Sequence, residues 1–150
     1  MFNILLYEPE IPPNTGNIAR LCLATNCRLF LKKPLGFSIK DKDLKRAGLD
    51  YWHKVDIAVV DSLEEVHALL PGSNFYFFST KAKKSYLDAS FKKNDVLVFG
   101  PETRGLPQNL ITDNSSALTI PMFNKQVRSL NLATSVGIVL YEAIRQTHFF

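Results

Sequence analysis

An α/β domain, a mostly parallel sheet flanked by helices, is the fold that three features of the sequence predict. Short apolar runs rich in valine, isoleucine and phenylalanine recur along the 150 residues, and segments with helical spacing separate them. Runs such as Val96–Phe99 carry no polar alternation, as expected of strands covered on both faces in a parallel sheet. The length suits one domain over residues 1–150, enough to bury roughly 70% of the surface of the unfolded chain.

Phe2–Tyr7 is the first strand. Pro9, Pro12 and Pro13 hold the following backbone extended, and Asn14-Thr15-Gly16 offers a cap for a helix from about Asn17 to Asn26. Ile18, Leu21, Cys22 and Thr25 share one stripe of that helix, whereas Asn17 and Arg20, three apart, share a face turned from the core. So placed, Arg20 lies near an amino terminus where the macrodipole disfavours a cation, which points to an anionic partner. Arg28–Lys33 is a second strand, Lys42–Leu49 a short helix and Val55–Val60 a third strand. Ser62-Leu63-Glu64-Glu65 has capping-box spacing and opens a helix through Leu70, closed by Pro71-Gly72.

Phe75–Ser79 is an aromatic strand, and Val96–Phe99 a buried one that Gly100-Pro101 stops abruptly. Leu106–Ile111 reads as a short helix and Ala117–Pro121 as the last strand. A polar loop, Asn124–Arg128, then leads through Ser129-Leu130-Asn131 into a long helix ending near Gln146. Leu132, Val136, Val139 and Ala143, with Ala133, Gly137, Leu140 and Ile144 beside them, give that helix a wide core face. Thr134, Ile138, Tyr141 and Arg145 line the other side, where two large apolar groups among polar ones suggest a surface for a second copy of the chain.

The formal net charge is +4, unevenly placed. Eight basic residues lie between Arg28 and Lys54 against Asp41, Asp43 and Asp50, and Lys81, Lys83, Lys84, Lys92 and Lys93 form a second group. Such patches suit a polyanion or a solvated face. No apolar run approaches the ~18 residues of a membrane span. The first residues lack a basic leader and a small-residue cleavage site, so the expected location is cytoplasmic. Cys22 and Cys27 read as reduced core thiols. His53, His67 and His148 read as structural or surface residues, and Trp52 either packs in a core or interface or stacks on a base.

Function points to Gly100-Pro101-Glu102-Thr103-Arg104-Gly105. Charges set against a strand end are either a surface ion pair on a turn or part of a site, since ligands of open α/β sheets bind beyond the carboxyl ends of the strands. Phe78–Thr80, Gly100–Gly105 and Ile120–Asn131 all end at that edge. Neither G-x-G-x-x-G nor G-x-x-x-x-G-K-[ST] occurs, so a pocket here would hold adenine and ribose through backbone groups of tight loops. Phe78, Ile120 and Met122 are its candidate apolar walls, or core.

P-P-N-T-G-N-I-A-R at Pro12–Arg20, F-G-P-E-T-R-G-L-P at Phe99–Pro107, I-P-M at Ile120–Met122 and S-L-N at Ser129–Asn131 resemble, in order and spacing, the three motifs of SPOUT-class RNA methyltransferases. The opening L-L-Y-E-P-E-I-P-P-N-T-G-N-I is most similar to the minimal tRNA 2′-O-ribose methyltransferases of that class. The resemblance implies a C-terminal deep trefoil knot over approximately residues 75–150, a homodimer, and S-adenosylmethionine as donor, leaving S-adenosylhomocysteine, with no metal. It implies tRNA as substrate, at the wobble cytidine or modified uridine of leucine tRNAs. It places the cofactor among Phe78, Thr80, Gly100, Glu102, Ile120, Met122, Ser129, Leu130 and Asn131, the last supporting the knot loop. Arg20 falls on the catalytic arginine, with Asn17 beside it. RNA contact would come from Arg128, Lys125, Tyr141 and Arg46. Another ribose in tRNA or rRNA, or an RNA-binding module without catalysis, are the competing readings.

Overall fold

The computed structural model describes residues 1–47 and 49–148. Among these residues seven strands form one sheet: β1 (Asn3–Tyr7), β2 (Arg28–Lys32), β3 (Ile57–Val60), β4 (Phe75–Phe78), β5 (Lys84–Ser85), β6 (Val96–Phe99) and β7 (Ala117–Thr119). Their spatial order is β3-β2-β1-β6-β4-β7-β5, and every ladder between them is parallel. The helices are α1 (Pro12–Ala24), α2 (Lys42–Ala47), α3 (Leu63–Leu69) and α4 (Leu132–Thr147).

Strand periodicity sorts the core into two layers. Ile4, Leu6, Leu29, Leu31, Leu97 and Phe99 face a cluster completed by Ile18 and Cys22 of α1 and Val136, Val139 and Leu140 of α4. The intervening Leu5, Phe30, Val96 and Val98 face a second cluster with Val66 of α3. Strands covered on both faces have no polar side, which is why they read as continuous apolar runs.

The helix carrying Arg20 begins earlier than the sequence suggested. α1 starts at Pro12, with Pro12 and Pro13 in its first turn, and its N-cap is Ile11, which makes no side-chain cap bond. Two prolines remove two of the amide donors that a helix start leaves unpaired, so a polar cap at Asn14-Thr15-Gly16 is not needed. Arg20 is therefore in the third turn, and the argument from its nearness to the helix dipole fails. At the other end Asn26 takes a left-handed φ of 55°, and Cys27 N–H donates to Cys22 O at 2.8 Å, closing the helix two residues before the expected end.

Elsewhere the differences are at ends and in short pieces. β2 stops at Lys32 and β3 starts only at Ile57, because Leu49–Lys54 coils into a 3-10 helix that the sequence did not reveal. Val55 N–H then closes on Trp52 O at 3.3 Å, and Trp52 itself packs against the first core cluster. The expected helix Lys42–Leu49 is α2 as far as Ala47, and Gly48 lies outside the described residues. Leu106–Ile111 contains only a 3-10 turn at Gln108–Leu110. β7 ends at Thr119, since Pro121 cannot donate to a ladder. The two-residue β5 was also missed.

The strand order sets up the site. The chain lays β1, β2 and β3 outward on one side, returns to place β4 two positions beyond β1, and fills the gap with β6. The loops after β1 and β6 thus meet where the order reverses, the position at which open parallel sheets bind ligands.

Candidate active site

Loops leaving the carboxyl ends of β4, β6 and β7 enclose a cleft of about 610 Å³, within the range of cofactor pockets. All nine residues expected to hold the cofactor line it: Phe78 and Thr80 after β4, Gly100 and Glu102 after β6, and Ile120, Met122, Ser129, Leu130 and Asn131 after β7. Arg128 lines it too. Its base is the Phe78–Phe99 pair, stacked at 4.8 Å between ring centroids.

The β6 loop is folded tightly on itself. A Cβ on Gly100 would lie 2.4 Å from Leu106 N and 2.5 Å from Gly105 C, and Gly105 has a φ of +69°. Gly105 N–H donates to Pro101 O at 2.9 Å. Both glycines are needed, one for close approach and the other for the left-handed backbone.

A reciprocal clamp ties this loop to the start of α1. The Glu102 carboxylate accepts from Glu10 N–H at 2.8 Å and Ile11 N–H at 3.1 Å. In return the Glu10 carboxylate accepts from Thr103 N–H at 3.1 Å and from Thr103 Oγ1 at 2.8 Å. These donors, with the Arg104 charge beyond them, hold the Glu10 carboxyl below the ordinary glutamate range. Glu102 therefore stands in the cleft wall with its carboxylate turned to the β1–α1 loop, so its contribution to the pocket is through loop shape. Thr103 belongs to the loop that the sequence singles out, but Glu10 does not; a lone glutamate between prolines gives no sign of its partner 93 residues away. Beside the clamp, Glu8 binds Lys32 Nζ at 3.1 Å and Arg104 Nη2 at 3.4 Å.

The third loop is anchored from the same helix. Asn131 caps α4 by accepting from Thr134 N–H at 3.2 Å and donates through Nδ2 to Asn14 Oδ1 at 3.0 Å. Asn14, in the wall of the cleft, is a further site residue, and the P-P-N-T-G-N motif was its only signal. Ile11, the N-cap of α1, and Asn14 within it reach the cleft; Asn17 and Arg20 are exposed further along the helix and do not line it. Lys125, Tyr141 and Arg46 also lie outside the lining, all exposed. No three or more His, Cys, Asp or Glu side chains converge among the described residues, and His67 is stacked on Phe75 at 3.7 Å.

A parallel sheet with a cleft built from three loops, clamped to the helix that carries an exposed arginine, is the arrangement of a SPOUT-type domain. The chain belongs to the SpoU rRNA Methylase family, whose model matches residues 1–141. It is 48% identical to a tRNA (cytidine(34)-2'-O)-methyltransferase from Methylovorus glucosotrophus, over 99% of this chain and 97% of the relative. Among solved structures it is similar to one described as giving structural insights into the 2-OH methylation of C/U34 on tRNA, with a TM-score of 0.91 and 46% identity over 97% of this chain and 95% of that one. It also matches the SpoU methyltransferase AviRb of Streptomyces viridochromogenes in complex with AdoMet, with a TM-score of 0.84 and 25% identity over 96% of this chain and 57% of that one. No helix among the described residues is long and apolar enough to cross a membrane.

Proposed function

We propose that this protein is an S-adenosylmethionine-dependent tRNA 2′-O-ribose methyltransferase acting on the wobble nucleotide, cytidine or uridine 34, in the cytoplasm, with leucine tRNAs as expected substrates. The observation that carries the reading is the cleft after β4, β6 and β7, lined by all nine residues expected to hold the cofactor. The donor fits what lines it: apolar Phe78, Ile120 and Met122 suit an adenine face, and the tight β6 loop presents backbone polar groups at its rim. When bound, the donor supplies an electrophilic methyl on a sulfonium.

The chain's own residues must bring a ribose hydroxyl into line with that methyl. Transfer would form the O–C bond, break the C–S bond and release the hydroxyl proton to solvent water. The guanidinium of Arg20 is a poor base in ordinary surroundings. Its role is to orient the hydroxyl and the neighbouring phosphate and to stabilise charge developing on oxygen, with Asn17 beside it. Arg128, Lys125, Arg46 and Tyr141 are the proposed RNA contacts.

The working unit is a homodimer in this reading. Tyr141 is 53% exposed on the outer side of α4, an apolar surface suited to a second copy. A two-chain particle accounts for Arg20 standing outside the cleft of its own chain. The C-terminal segment, from about residue 75, is threaded as the trefoil knot of the SPOUT class. Placement of β6 between the earlier β1 and β4, and the bond between Asn131 and Asn14, support that reading.

Arg20→Ala is the direct test. It should abolish methyl transfer to tRNA while leaving calorimetric binding of S-adenosylmethionine within a factor of about two, as expected of a group that acts only on the acceptor in the transition state. Transfer at the wild-type rate would remove Arg20 from the mechanism.

A further inference from the structure

Between the cleft and the open solvent stands a side chain that neither the motifs nor the mechanism uses. Phe123 is 97% exposed, the most exposed large hydrophobic side chain of the described residues, and follows directly on Met122, which lines the cleft. Every residue from Phe123 to Ser129 is exposed. The segment nevertheless has a defined turn: the Asn124 side chain accepts from Gln126 N–H at 2.9 Å, and Val127 N–H donates to Asn124 O at 3.4 Å. That turn carries Lys125 and Arg128 and, between Ile120 and Asn131, no acidic residue.

A phenyl ring left in water on a segment that also carries two exposed cations has a specific complement. A nucleobase stacks on the ring, and its own phosphates meet the cations. An unpaired loop nucleotide whose ribose is drawn into a cleft separates from its neighbours, which forfeits base stacking. An aromatic platform at the mouth of the cleft replaces what is lost. A second copy of the chain fits less well, because an isologous contact centred on this loop sets Lys125 and Arg128 of one copy against those of the other.

We infer that Phe123 is a substrate-positioning platform on which an unpaired base of the RNA loop, the target nucleotide or its neighbour, stacks while its ribose enters the cleft. The inference rests on the proposed RNA methyltransferase activity and adds a residue that the matched motifs do not contain. Stacking on Phe123 does not depend on which base is present, since every base offers a π-face. It therefore strengthens engagement of single-stranded loops without choosing among sequences.

The test uses the full chain and a tRNA anticodon stem-loop RNA, with 2-aminopurine next to the target nucleotide as a stacking probe. Phe123→Ala and Phe123→Trp are compared with wild type by steady-state kinetics, calorimetric S-adenosylmethionine binding, probe fluorescence and sedimentation. Phe123→Ala should raise KM for RNA by roughly 5- to 150-fold, the range expected for one lost base-aromatic stack. The donor affinity, the melting temperature and the sedimenting mass should stay those of wild type. Phe123→Trp should restore KM, and the probe's fluorescence change on binding should be smaller for Phe123→Ala than for wild type and Phe123→Trp. An unchanged KM with an unchanged probe response overturns the inference, and so does a lower sedimenting mass for Phe123→Ala, which reassigns the ring to a contact between copies. If wild type methylates no RNA at all, the proposed activity fails; if wild type is active and Phe123→Ala equals it, the platform alone fails.

Discussion

At Gly100 a single methyl group decides whether the β6 loop can close, because the added carbon would sit 2.4 Å from a backbone nitrogen that has no freedom to retreat. Gly100→Ala should cost about 1–3 kcal/mol in stability and, by opening the loop, weaken donor binding in calorimetry by more than about tenfold. Asp95 makes a different kind of demand. It is 2% exposed and accepts from Asn74 N–H, Asn74 Nδ2 and Lys92 N–H at the amino-terminal edge of the sheet. Asp95→Ala leaves these donors short of partners and should lower stability by about 3 kcal/mol in urea titration, with donor affinity per folded molecule unchanged. Glu10 adds a pH dependence. Its folded-state carboxyl is held below the ordinary glutamate range by Thr103 and Arg104, so its contribution is whole above that range and is lost as the pH falls through the depressed value. The melting-temperature difference between wild type and Glu10→Gln should therefore shrink on acidification through and below the glutamate range. The lining of the cleft was legible at this scale, since motif residues also carry the loop geometry. The clamp was not, because a carboxylate that accepts backbone amides far along the chain leaves no local pattern.

Helix starts show how the same signals can succeed and mislead. Ser62 caps α3 by accepting from Glu65 N–H at 3.2 Å, as its spacing predicted, although the Glu65 side chain returns to Asp61 N–H and not to Ser62. At α1 the polar trio Asn14-Thr15-Gly16 looked like a cap but lies inside the helix, buried. Pro12 and Pro13, read with Pro9 as extended backbone, were instead the first turn, and the partner that holds the entry is Glu102, a residue of another loop. Asn131 combines both roles, capping α4 and binding Asn14. Asn131→Ala should lower stability by about 1 kcal/mol through the lost cap. It should also weaken donor binding, because the wall of the cleft is then no longer tied to α1; Asn131→Asp, which keeps the cap acceptor and loses the amide donor, should retain the stability and show the weaker binding. Short 3-10 segments and the two-residue β5 were invisible for want of any period long enough to read.

Across the whole molecule, alternation of apolar runs and amphipathic segments was enough to give a parallel sheet with helices on both faces. Strand order was not legible, since nothing in β6 says that it inserts between β1 and β4; that arrangement comes from pairing partners far apart in the chain. Yet the order is what brings three loops to one edge and sets the clamp beside α1. With RNA on the basic surface, affinity for tRNA should fall steeply with salt, and Lys125→Ala with Arg128→Ala should reduce the slope of log affinity against log salt by about one to two. In the proposed function the cleft presents a methyl donor to one ribose. The most direct test is to incubate the purified protein with methyl-labelled S-adenosylmethionine and bulk tRNA, then locate the label by nuclease digestion and mass spectrometry. Label is expected on the 2′-oxygen of nucleotide 34; label on a base, on a different ribose, or nowhere would overturn the proposed function.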